Sequence, residues 1–153
     1  MPGDLTAMPA KISAISATIE IAAPPEQVWA VLTDLASYPE WNPVFREASG
    51  QLTPGNRVTI TSTHPETGHT MTVKVKVLTA ESASELRWVS SVLGVMTSEH
   101  SFILSLTSGG TQLVQTQTYR GMFTRFPPKT ISRIQASFEA INQAIKQRAE
   151  GSA

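Results

Sequence analysis

Histidine and tyrosine are the side chains here with acid–base reach; the chain has three of the first and two of the second. Cysteine is absent, which excludes disulfides and thiolate nucleophiles. His100 and Tyr119 are the pair whose spacing suggests chemistry. If Gly109-Gly110 is a two-residue hairpin turn, counting outward sets Leu106 against Leu113, Leu104 against Gln115, Phe102 against Gln117 and His100 against Tyr119. Imidazole titrates near neutrality and a phenol can donate to a carbonyl, so the pair could work as acid and base. A lone histidine beside a tyrosine is more often a hydrogen-bonded structural pair, and that plainer reading is favoured.

The same face of the expected sheet carries Val73, Val75, Trp88, Phe102 and Leu104, with Ser90, His100, Gln115, Gln117 and Tyr119 among them. Four long polar side chains on two adjacent strands are many for a dry core. They either hydrogen-bond one another in a packed interior or orient a ligand in a mainly apolar cavity; the second is favoured. No two carboxylates share this face, which speaks against hydrolysis by paired acids. His64 and His69 would pair across the Pro65–Gly68 turn, but no third ligand is evident, so they read as exposed turn residues and no metal is expected. A phosphate loop, a dinucleotide fingerprint and a nucleophile elbow are all missing, so no cofactor is expected. Trp29 reads as a core anchor. Trp41 either caps the sheet or lines a pocket mouth, and Trp88 could do either job. The run from Phe123 to Phe126 forms an entrance flap or buries two rings at a corner, where Gly121 permits a bulge or close approach.

These residues need elements to hold them. Ile131, Ile134, Phe138, Ile141 and Ile145 step by three and four, inside an arc of roughly 80° on a helix from Pro127 to Arg148. Arg133, Glu139, Gln143, Lys146 and Gln147 take the opposite side. Prolines at its start, cations in its last turn and Gly151 beyond them suit a helix of about 20 residues, ~30 Å long. Earlier, Ile15 to Ile21 alternate as a half-buried strand. Pro24-Pro25 open a helix, and Ser37 to Trp41 form a second short one with capping-box spacing between Ser37 and Glu40. From Val44 to Phe123 the period is two, with six strands separated by turn residues. A loop at Pro65–Gly68 pairs Ser62 with Met71, Ile60 with Val73 and Val58 with Val75, leaving Thr59, Thr61, Lys74 and Lys76 outward. So many regular strands should curl around the terminal helix, giving an α+β domain with a space between the layers.

Lys plus Arg and Asp plus Glu are 12 each, so the net charge is zero. Nucleic acid needs a basic surplus, and so does an electrostatically held membrane protein. No signal peptide and no 18-residue apolar run are visible, so a soluble, cytoplasmic protein is expected. Residues 1–12 read as a flexible tail and 13–150 as one domain.

Ala23-Pro24-Pro25-Glu26-Gln27-Val28-Trp29, then Asp34, then Tyr38-Pro39-Glu40-Trp41-Asn42-Pro43, resembles the opening of the START-like, or SRPBCC, superfamily. Leu86-Arg87-Trp88, His100 to Leu104, Gly110 to Leu113 and Tyr119-Arg120-Gly121 resemble it too, and the nearest branch is the polyketide cyclase/dehydrase-like proteins. The resemblance implies a helix-grip fold: about seven antiparallel strands curved on a long C-terminal helix, with two short helices after the first strand. It implies a pocket for a small hydrophobic or amphipathic ligand, a lipid or polyketide, in a family of mostly non-enzymatic binders. The expected ligand-facing set is Trp41, Val73, Val75, Trp88, Ser90, His100, Phe102, Gln115, Gln117, Tyr119, Phe123, Ile134, Phe138 and Ile141. A cyclase or dehydratase using His100 and Tyr119 is one alternative. A protein-interaction module with a filled pocket is the other.

Overall fold

Period-two alternation carries most of this chain into one sheet. A computed structural model describes residues 11–64, 67–92, 94–121 and 126–151. Its elements run β1 (Lys11–Ile21), α1 (Pro25–Thr33), a 3-10 turn (Leu35–Ser37), α2 (Tyr38–Trp41), β2 (Phe45–Gly50), β3 (Arg57–Thr63), β4 (Thr70–Glu81), β5 (Glu85–Val92), β6 (Met96–Thr107), β7 (Gly110–Gly121) and α3 (Pro128–Gly151). β1 begins at Lys11, inside the stretch expected to be tail. Phe123 and the proposed flap around it lie outside the described residues, apart from Phe126.

Every neighbouring pair of strands is antiparallel, in the order β1-β7-β6-β5-β4-β3-β2. The helices α1 and α2 carry the chain from one edge strand, β1, to the other, β2. The sheet curls and α3 fills its concave side, lying chiefly along β1 with α1 against its C-terminal end. There Gln27 Nε2 donates to the Ala149 carbonyl. Phe138, Ile141 and Ile145 are buried, each worth roughly 1.5–3 kcal/mol in apolar area removed from water. Among the described residues no helix is long and apolar enough to cross a membrane.

The β3–β4 register is the expected one: Ser62 faces Met71, Ile60 faces Val73 and Val58 faces Val75. Val58, Ile60 and Val75 are buried, while Lys74 and Lys76 are exposed. The β6–β7 register differs by two. Thr107 pairs with Gly110, so the turn is Ser108-Gly109, and His100 faces Gln117 while Tyr119 faces Ser98. The reason is non-local. Gly110 has φ +141°, and a Cβ there would collide with the Ile21 carbonyl and the Ala23 amide. It is the close approach of β1, not the turn, that requires this glycine. A shift of two preserves which face each side chain takes, so the inward row survives. Leu106, expected inward opposite Leu113, lies opposite Thr111 and is exposed. Gly121, at φ +132°, makes the close approach expected of it, against the Val95 carbonyl.

The capping box on α2 does not form. Ser37 Oγ donates to the Asp34 carbonyl (2.9 Å) and accepts from Trp41 Nε1 (3.2 Å). Trp41 also packs edge-on to Tyr38, with centroids 5.1 Å apart, so it braces the helix pair.

Candidate ligand site

His100 stands at the centre of the inward face and is 3% exposed. Its ring stacks on Phe102 with centroids 4.7 Å apart and meets Phe138 edge-on at 5.0 Å. Trp88 at 5.5 Å and Phe45 at 5.8 Å close the rest. Burial lowers its pKa to about 4, against the pull of hydrogen bonds from Gln115 and Gln117. The imidazole is therefore neutral at pH 7, with one N–H and one lone pair.

Which nitrogen carries the proton follows from the neighbours. Asn142 Nδ2 donates to the Ala17 carbonyl at 3.1 Å, and that carbonyl can only accept. This turns Asn142 Oδ1 toward Gln115 Nε2 (2.7 Å), which also donates to the Phe138 carbonyl (3.2 Å). Gln115 thus offers its oxygen to the ring and accepts from His100 Nε2–H at 2.8 Å. His100 Nδ1 is left with a lone pair. The Gln117 amide lies 2.5 Å from it and must present its NH₂ there, which aims its oxygen at the Tyr119 hydroxyl. The hydrogen bonds run one way, from Tyr119 through Gln117, His100, Gln115 and Asn142 to the backbone of β1. Burial also raises the Tyr119 pKa, so the phenol keeps its proton. Asn142 was not singled out in the sequence. Its signal was there: it stands four residues after Phe138, on the buried stripe that continues through Ile145 and Ala149.

A cavity of about 470 Å³ lies between the β3–β4 hairpin and α3. Its lining is Val44, Ser62, Thr63, His64, Thr67, His69, Thr70 and Met71, with Arg133 and Ser137 from the helix. The hairpin end is well tied: His64 N–H donates to the His69 carbonyl (2.8 Å), Gly68 N–H to the His64 carbonyl (2.9 Å) and Thr67 N–H to His64 Nδ1 (3.3 Å). Among the described residues no group of three metal-ligating side chains gathers, here or elsewhere.

The structure brings the expected ligand-facing residues together, but around each other. Val75, Trp88, His100, Phe102, Gln115, Tyr119, Phe138 and Ile141 are buried; Trp41, Val73, Ser90, Gln117 and Ile134 are half-buried. Ser90 Oγ pairs with Ser98 Oγ at 2.9 Å. Among the described residues, none of this set lines the 470 Å³ cavity. Ser62 and Met71 belong to the same inward row, one pleat further toward the hairpin. Arg133 was placed on the solvent side of α3, and instead stands at the cavity's edge.

A curled antiparallel sheet closed by a terminal helix, with a cavity at one end of the seam, is a helix-grip fold of the START type. A family model for polyketide cyclase / dehydrase and lipid transport matches residues 14–150, and the chain belongs to that family. Among solved structures, a START superfamily protein from Mycobacterium smegmatis superposes with a TM-score of 0.73 at 18% identity, covering 92% of this chain and 99% of that one. Ara h 8.0201 gives 0.71 at 15% identity, with 92% and 99% covered. The di-domain ARO/CYC StfQ from the steffimycin biosynthetic pathway gives 0.73 at 12% identity; 92% of this chain covers 52% of that one. Comparison with curated protein sequences gives no match.

Proposed function

We propose that the chain binds a small hydrophobic or amphipathic molecule in the cavity between the β3–β4 hairpin and α3. The observation that carries this is the 470 Å³ void itself, within the ~300–1,000 Å³ typical of small-molecule sites. The family's description, spanning polyketide cyclisation and lipid transport, supports ligands of that kind. Catalysis by His100 and Tyr119 has less behind it. The two do not face each other, His100 is sealed by aromatic rings, and both its nitrogens are engaged by glutamines. Native mass spectrometry of the protein purified from its host tests the proposal. A co-purified small molecule, lost on organic extraction, is expected. A ligand-free protein that takes up no lipid or polyketide from a panel would overturn it in favour of the interaction-module alternative.

A further inference from the structure

We propose that the ligand is an amphipathic anion, with an acidic head at Arg133 and an aliphatic body directed toward Val44. This rests on the binding reading above and adds the chemical class. The cavity's polar lining has one character. Arg133, His64 and His69 are joined by hydroxyls such as Ser62, Thr70 and Ser137, and no carboxylate is among the described lining residues. Acids are as numerous as bases in the chain, and the two other cavities each include one, Glu47 in one and Glu20 in the other. The exclusion of acids is thus particular to this cavity.

The groups are of the right kind for an oxyanion. A guanidinium presents a planar fork that fits a carboxylate or phosphate with two parallel hydrogen bonds. His64 Nδ1 accepts the Thr67 amide N–H, so in the neutral ring Nε2 carries the proton and is a donor. Hydroxyls can donate as well. The apolar part has its own surface. Val44 is buried at 8% exposure, while Met71 is 63% exposed, an unbranched and adaptable side chain left open on the hairpin. Arg133 is exposed on the helix opposite. The polarity therefore runs from an apolar interior end to a cationic rim, which matches a tail-in, head-out ligand.

The test titrates decanoate, decyl phosphate and decanol into the full chain by calorimetry, in wild type and in Arg133→Gln and Arg133→Lys. In wild type at least one anion should bind about ten-fold more tightly than decanol, as expected for a charge-assisted hydrogen-bonded pair. The better of the two anions identifies the head as carboxylate or phosphate. In Arg133→Gln that margin should collapse, and in Arg133→Lys it should survive in part. Unchanged thermal unfolding would show that both variants fold. If decanol binds as well as both anions in wild type, or the margin persists in Arg133→Gln, the head-group assignment falls while the cavity still binds. If none of the three binds, the cavity reading falls with it.

Discussion

His100 and Gln115 are joined through Nε2–H and Oε1 at 2.8 Å, and that bond fixes the direction of every other hydrogen bond in the buried polar row. Because Gln115 is already committed to Asn142 and the Phe138 carbonyl, the tautomer of His100 is decided by the backbone of β1 at Ala17. Ring nitrogen NMR should find Nε2 protonated and Nδ1 bare at neutral pH. A protonated Nδ1 would refute the chain of donors.

The same histidine should make stability depend on pH. Its folded pKa is about 4 against an ordinary 6.5. In the unfolded chain the ring takes up a proton below 6.5, while the native ring stays neutral until about 4. Stability is therefore lost as pH falls across that window and levels below it, by roughly 3 kcal/mol at most. Urea unfolding at pH 7, 5.5 and 4.5 should show this fall in wild type and a flatter profile in His100→Gln. Equal slopes in the two would place the loss in the carboxylates.

Replacing Gln115 by Leu should cost about 3 kcal/mol or more, since it strands the His100 N–H, Asn142 Oδ1 and the Phe138 carbonyl in a buried setting. Gln117→Leu should cost about 1 kcal/mol, because Gln117 is half-buried and water can replace it. Denaturant midpoints compare the two directly. A costlier Gln117 variant would contradict the ranking.

Gly110→Ala should destabilise by about 2 kcal/mol or more, because its φ of +141° and the Ile21 carbonyl both oppose a Cβ. Gly109→Ala meets nothing within 4 Å and should cost less. Thermal unfolding of the two variants separates the glycine of the turn from the glycine of the strand contact.

Ser137→Trp should fill the space between helix and hairpin and abolish ligand uptake with little change in unfolding temperature, since Ser137 faces the cavity. Retained uptake in a folded Ser137→Trp protein would move the site elsewhere.

The β3–β4 register was legible because the Pro65–Gly68 loop is flanked by apolar rows that tolerate no slip of one. The β6–β7 register was not, because two adjacent glycines allow two turns, and the choice is made by Ile21, far away in sequence. The helix-grip fold and the polar inward row were readable from periodicity and resemblance. That the row satisfies itself was not, since the closing partner is Asn142, a helix residue taken neither for core nor for surface. The cavity escaped notice for a related reason: His64, Thr67 and His69 are ordinary turn residues in sequence, and only the placement of α3 gives Arg133 and Ser137 a common space with them.

Pairing of β1 with β7 joins residues as far apart as Lys11 and Gly121. As the polypeptide leaves the ribosome, its first strand stays without a partner until nearly the last strand has been made, so folding must wait on non-local closure and be slow. Any pause or truncation before Thr111 would leave an apolar ribbon, Ile15 to Ile21, open to self-association, and a chaperone that shields this segment would act at the step where the nascent chain is most exposed.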